Sequence, residues 1–184
     1  MAKQYPSLNN DLSDFITRQN IFFTASATKD SHINLSPRST ECFRIIDENT
    51  VVYHDKTGSS NETAAHIKAD GRLTIMFCSF EKAPKILRLY GEGQVIHRNS
   101  DEYKNLIKTS FNDQTYAGAR QIIKLNIDLV QTSCGFGVPL FTYQADRDNL
   151  DRWAETQGPE GIHDYWQNKN LNSMDGLPTG IFDE

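Results

Sequence analysis

Apolar and polar residues alternate with a period of two along residues 121–133, where Ile123, Leu125, Ile127 and Leu129 are separated by Lys124, Asn126 and Asp128. That period predicts a strand with one buried face. Residues 72–80, R-L-T-I-M-F-C-S-F, are apolar on both faces and predict a central or interface strand. Residues 85–97 are too long for a flat strand, and Gly91 and Gly93 mark a bulge or a barrel corner inside them. Shorter strands are expected at 21–27, 32–35, 42–46 and 50–54. The turn 28–31 joins the first pair into a hairpin, and Asp47-Glu48-Asn49 joins the second. Pro37 cannot serve a central ladder, so the sheet is interrupted or at an edge over 36–39.

A helical period takes over at 8–18, where Leu8, Leu12, Phe15 and Ile16 share a face. It returns at 99–111, with Ser100 as cap and Tyr103, Leu106 and Ile107 on one stripe. A further helix begins near Thr63 and ends near Asp70. Residues 146–157 and 159–168 predict two short polar helices that carry Trp153, Tyr165 and Trp166. About six strands with bulges, interrupted by short helices, predict a mainly β fold with α: a six-stranded antiparallel barrel with flanking helices. Residues 1–145 would form the barrel domain and 146–184 a helical extension packed on it. The spacing does not suit βαβ units, so a doubly wound sheet is not expected.

Composition narrows the function. At 184 residues the chain can bury a proper core, and 38% apolar with 23% charged residues describes a globular protein. A net charge of −5, with no basic cluster longer than two residues, argues against a nucleic-acid partner. No apolar run approaches the roughly 20 residues of a membrane span. The opening M-A-K-Q-Y-P lacks the apolar centre of a signal peptide. Cys42, Cys78 and Cys134 stand singly in apolar, strand-like surroundings, without C-x-x-C spacing, and are expected to be reduced core thiols in a cytoplasmic protein. The five histidines form no H-x-x-x-H pair and no Cys/His group, so no metal site is expected.

One stretch carries candidate chemistry: residues 55–67, D-K-T-G-S-S-N-E-T-A-A-H-I, between a strand and a helix. Free amides at a helix start, beside Ser and Thr hydroxyls, make an anion site. The same residues also describe an ordinary N-cap, with Ser60 or Asn61 capping and Thr63 opening the helix.

Six segments occur in order: N-L-S-P-R at 34–38, T-G-S-S-N-E-T-A-A-H-I at 57–67, M-F-C-S-F at 76–80, I-L-R-L-Y-G-E-G at 86–93, S-C-G-F-G-V-P at 133–139 and M-D-G-L-P at 174–178. Together they resemble the pyridoxamine 5′-phosphate oxidase-like family of FMN-binding split β-barrels, in its oxidase-related branch. The resemblance covers nearly the whole chain. It implies a homodimer with FMN in grooves at the subunit interface, and a small-molecule substrate or electron donor. Carried onto this chain, it implies that Ser36 and Arg38 at a strand end hold the flavin phosphate with Ser59, Ser60, Asn61 and Thr63. The run 51–55, with Val52, Tyr53, His54 and Asp55, would lie along the flavin ring and offer it mainly backbone groups. Phe77, Phe80 or Leu89 would supply an apolar wall. His66 would approach the groove or simply pack.

Two departures qualify the resemblance. The better-known oxidases place Arg-Lys after the turn serine, where this chain has Asn61-Glu62. Arg38 and Lys56 must then supply the positive charge, Lys56 from a mobile loop, while Glu62 turns to a role at the helix start. The true oxidases also end in Arg-x-Leu-Pro-like segments, whereas Leu177-Pro178 follows Asp175-Gly176 here. Oxidation of pyridoxamine phosphate itself is therefore not expected. The resemblance implies an FMN-dependent oxidoreductase acting on a small conjugated substrate. The alternatives are a non-catalytic flavin-binding or storage protein, and a split barrel that holds heme or another ligand. No catalytic side chain is assigned. Arg88 is expected to serve structure, Trp153 and Trp166 to anchor packing, and Cys134 lacks the partner base a nucleophile needs.

Overall fold

A single antiparallel sheet curls around the apolar centre of the molecule. The computed structural model describes residues 2–183, so the terminal residues of the two expected segments, 1 and 184, lie outside them. Among the described residues there are eight strands: β1 (Lys3–Tyr5), β2 (Ile21–Ser26), β3 (Asn34–Ser39), β4 (Phe43–Asp47), β5 (Thr50–Lys56), β6 (Arg72–Cys78), β7 (Ile86–His97) and β8 (Ala119–Ser133). Four helices accompany them: α1 (Asn10–Thr17), α2 (Glu62–Ala69), α3 (Asp101–Ser110) and α4 (Asn149–Lys169). The strand order is β3-β2-β6-β7-β8-β5-β4, with β1 paired to β8. The antiparallel barrel with outer helices is thus present, with eight strands instead of six. The three-residue β1 is too short to show a period.

β8 is the seam. One edge pairs with β7 along its length; the other takes β5 over its first half and β1 over its second. The sheet bends at Gly91, where Tyr90 pairs with Leu129 but Gly91 pairs with Ile127, so Asp128 is the extra residue of a bulge. A Cβ on Gly91 would lie 1.9 Å from the carbonyl oxygen of Asn126, which only glycine avoids. A Cβ on Gly93 would meet the Ile67 side chain at 2.8 Å, so its absence lets α2 lie close on the sheet.

β3 is an edge strand, as Pro37 requires, but it continues through Pro37 to Ser39 instead of stopping near Leu35. An edge strand needs only one hydrogen-bonding side, so the missing N–H is tolerated. A short 3-10 turn, Thr40–Cys42, then swings the chain across to β4 at the opposite edge.

Inside the barrel Phe22 packs against Phe43, Tyr53 and Phe77 at ring-centroid separations of 5.1, 5.3 and 5.8 Å. Along β5 the alternation sends Val51 and Tyr53 to this core, while Val52 joins an outer cluster with Ile96, Ile107, Phe111 and Ile122 under α3. Ser100 caps α3 as its position predicts, accepting from the Tyr103 amide at 3.1 Å. α4 is broken at Gly158, which has φ 66°, before Pro159, so the two short helices read from the sequence are joined at a kink. Trp166 is buried there with Ala154, Ile162 and Ile181, the packing role expected of it. No described helix is long and apolar enough to cross a membrane.

Candidate functional site

A cleft of about 740 Å³ opens where β3, the end of β5, the turn before α2 and the start of α4 converge. Ser36 and Arg38 from β3, His54 and Lys56 from β5, and Ser59 and Ser60 from the turn all line it. These are six of the eleven residues singled out above. A strand edge, a strand end and a turn bring them together from separate parts of the chain.

Beneath this wall sits a buried charge cluster. Asp55 is fully buried, and Arg120, 4% exposed, donates to its Oδ2 from Nε at 2.7 Å. Arg38, 18% exposed, places Nη1 2.8 Å from Asp55 Oδ1. That distance makes an ion pair, but no well-aligned hydrogen bond reaches Oδ1, and the Arg38 Nε has no partner. Burial alone would raise the Asp55 carboxyl; Arg120 and then Arg38 outweigh it and hold the group below its ordinary value. Burial alone would likewise lower the Arg38 guanidinium, and the surrounding Tyr53 and Asp55 raise it instead. Two guanidiniums therefore share one carboxylate, which leaves one excess positive charge at the cleft wall.

Arg120 was not legible as a site residue, because strand periodicity begins after it. Its position follows from a bulge. Asp55 pairs with Gln121 and Lys56 with Ala119, so Arg120 is the unpaired extra residue. The bulge lets Arg120 and Gln121 both donate to Asp55 Oδ2 at 2.7 Å. The one available signal was a charged residue directly before a long apolar strand.

The remaining candidates lie elsewhere. Val52 and Tyr53 do not line the cleft: both are fully buried, and their backbones are held in ladders with β4 and β8. The expectation is that 51–55 lies along a flavin ring and offers it mainly backbone groups; β5 is a central strand as far as Tyr53, so the backbone of 52–53 is engaged by β4 and β8. Beyond Tyr53 β4 no longer pairs with it, so only 54–56 have a free edge. Asp55 supports the wall from behind. Asn61 is the cap residue of α2, yet its side chain makes no capping bond and its Oδ1 accepts from Gln121 Nε2 at 2.9 Å. The helix start thus keeps its amides free of a side-chain cap, contrary to the N-cap reading. Thr63 is buried and accepts from Asn34 Nδ2 at 3.0 Å. His66 packs rather than facing the cleft, its Nδ1 3.1 Å from Ser26 Oγ.

Of the apolar wall candidates, Phe80 lines the cleft beside Phe141, whose ring lies 5.4 Å away. Phe77 and Leu89 are core residues instead. Lys56 is not on a mobile loop. It ends β5, its Nζ donates to both oxygens of Asp151 in α4 at 2.8 and 2.9 Å, and it lies 4.3 Å from the Tyr116 ring. Arg88 donates to Ser133 Oγ at 3.2 Å, consistent with a structural role. Among the described residues no three acids, histidines or cysteines are grouped to hold a metal ion.

His54 is the anomalous group. Its ring packs edge-on against Phe111 and Tyr116 at 4.3 and 5.1 Å, and neither nitrogen has a hydrogen-bond partner. Burial, reinforced by Arg44 and Lys56, lowers its pKa to about 4. The ring is therefore neutral at physiological pH, and it is fully buried among Tyr103, Phe111 and Tyr116.

Glu62 occupies the first turn of α2, and its Oε1 accepts from the Met174 amide at 2.9 Å. It is turned to the C-terminal segment and does not line the cleft. Glu62→Gln should lower stability by about 0.3–1 kcal/mol through the lost helix-end charge and leave flavin affinity within about twofold. FMN titrations of both proteins at low and high salt check this; a salt-sensitive gain in affinity would place the carboxylate at the phosphate.

Comparison with known proteins agrees with this geometry. The pyridoxamine 5′-phosphate oxidase family model matches residues 8–134. The pyridoxamine 5′-phosphate oxidase family protein ustO of Aspergillus flavus is 38% identical over 190 residues, covering 95% of this chain and 76% of its own. A candidate pyridoxamine 5′-phosphate oxidase from Lactobacillus delbrueckii superposes with a TM-score of 0.55 at 18% identity, over 68% of this chain and 94% of that one. An FAD-binding protein from Mesorhizobium loti gives 0.50 at 10% identity, over 72% and 97% of the two chains. The family model spans most of the sequence, the ustO relationship spans nearly all of it, and the solved structures share the curled sheet; the chain belongs to the pyridoxamine 5′-phosphate oxidase family of FMN-binding split β-barrels.

Proposed function

We propose that this chain binds FMN in the 740 Å³ cleft and serves as an FMN-dependent oxidoreductase for a small conjugated substrate. The observation that carries the reading is the excess charge of the Arg38–Asp55–Arg120 cluster beside the Ser59–Ser60 turn at an uncapped helix start. A phosphate needs a fixed cation, hydroxyls and free amides, and the three coincide here. Arg38 lines the cleft with its side chain 18% exposed, so part of the guanidinium is open to an anion. FMN, when bound, supplies the electron transfer. The chain's part is to grip the phosphate through Arg38 and the two serines and to exclude water with Phe80 and Phe141.

A homodimer belongs to the same reading. Phe136, Leu140, Phe141 and Tyr143 are all more than half exposed, and Phe141 and Tyr143 also line the cleft. Exposed apolar groups at the rim of a ligand cleft suit a second copy packed across it.

Denaturing the purified protein and identifying the released chromophore tests the proposal directly. FMN supports it, and heme or no chromophore overturns it as the resting state. Bleaching by a nicotinamide cofactor without oxygen separates an oxidoreductase from a flavin store. Arg38→Ala should weaken FMN by about 2–3 kcal/mol and Lys56→Ala by less than about 1 kcal/mol. Arg38 supplies the unshared charge, whereas Lys56 is already neutralised by Asp151. Equal affinities across both variants and the parent would remove Arg38 from the site.

A further inference from the structure

A second cleft, of about 710 Å³, lies on another part of the surface, between the kink of α4, the turn from β7 to α3 and residues 181–183. We infer that it binds a small planar aromatic carboxylate. Its volume falls within the range of ligand pockets, about 300–1,000 Å³.

Arg98, His97 and His163 stand around the cleft as donors, with Asn99 beside them. The Arg98 guanidinium lies over the Trp166 ring at 5.0 Å from its centroid, a cation–π contact that holds it beside the cleft. A held fork grips a carboxylate with two parallel bonds, and each imidazole can donate an N–H even when neutral. Among the described residues Arg98 has no carboxylate partner, and Asp183, an acid on the wall, is engaged by Lys68. Glu155 is the other acid there; a carboxylate ligand would have to seat at the Arg98 side, away from it.

The remaining walls favour a flat, apolar body. Phe182, 43% exposed, presents a ring surface, while Trp166 is buried beneath, and Ala117, Gly118 and Ala119 lie along the cleft without bulk. Gly118 has φ +69°, and a Cβ there would come 2.9 Å from the Ala154 Cβ, so the close packing behind this wall depends on glycine. The cleft joins the Phe182 ring and small apolar side chains to a guanidinium at one end, a pattern that suits an aromatic ring bearing a carboxylate. None of these residues lines the flavin cleft, so the inference stands apart from the proposed function.

The probe is 2-naphthoate, titrated into the full chain with excess FMN present and followed by the indole N–H signals. Trp166 Nε1 donates to Thr57 Oγ1 at 2.7 Å, which gives that indole a defined environment to report from. A saturable shift of the Trp166 signal is expected. The neutral 2-naphthalenemethanol should bind at least about tenfold more weakly, as should the Arg98→Ala variant toward naphthoate. His163→Leu is a second variant, removing the donor on α4, and should weaken naphthoate about threefold or more. Equal binding of acid and alcohol overturns the inference, as does unchanged binding by both variants. Binding lost in Arg38→Ala but kept in Arg98→Ala would assign the probe to the flavin cleft and overturn it equally.

Discussion

Asp55→Ala is expected to destabilise the fold by about 3–5 kcal/mol, the usual loss when one partner of a buried ion pair is removed. Asp55 is completely buried, and among the described residues its charged neighbours within ion-pair distance are two guanidiniums, themselves 4% and 18% exposed. Removing the carboxylate leaves both cations in a low-dielectric wall with no counter-charge, and also takes the acceptor from Gln121. Arg38→Ala should be much milder for stability, because Arg120 still neutralises Asp55. The contrast separates structure from binding: Asp55 holds the wall, and Arg38 faces the cleft. Urea unfolding of both variants checks it. A loss below about 1 kcal/mol for Asp55→Ala would show that water reaches the cluster and that the charges do not depend on each other.

The second large effect is in pH. His54 titrates near 6.5 when unfolded and at about 4 when folded. As pH falls below 6.5 the unfolded chain takes the proton first, so stability is lost across the window from about 6.5 to about 4 and levels off below it. The full drop corresponds to up to about 3 kcal/mol. The other shifted groups act outside that window. Asp55 is depressed from 3.8, so its contribution is lost at lower pH. His32 is raised from 6.5 by its hydrogen bond to Asp175, so its contribution is complete below 6.5 and lost as pH rises above it. His54→Phe removes the titrating ring while keeping an aromatic face for Phe111 and Tyr116. Urea midpoints of parent and variant between pH 4 and 7 should diverge in slope; parallel curves would mean that a water or a neighbouring group satisfies the imidazole.

The strand and helix pattern was largely open to view in the sequence because period-two and 3.6-residue hydrophobicity survive in single segments. Residues 123–129 alternate visibly, and Gly91 announced its bulge because no side chain fits against the neighbouring carbonyl. Pro37 marked an edge for a similarly local reason. The ordered motifs also pointed to the family, and the hydroxyl turn at 57–61 pointed to one wall of the cleft.

What the sequence by itself determined, then, were features whose cause lies within a few residues: periods, the bulge at Gly91, the edge at Pro37, the break between two helices at Gly158-Pro159, and the chemistry of the Ser59–Ser60 turn. Only the tertiary structure decided how charges are shared. Arg120 joins Asp55 across 65 positions through a register shift, Lys56 is taken up by Asp151 across 95, and Glu62 is turned away by an amide of Met174 across 112. Such pairings depend on which strand edges and helix ends come to lie side by side. Coulombic attraction acts over ångströms in space and leaves no period along the chain.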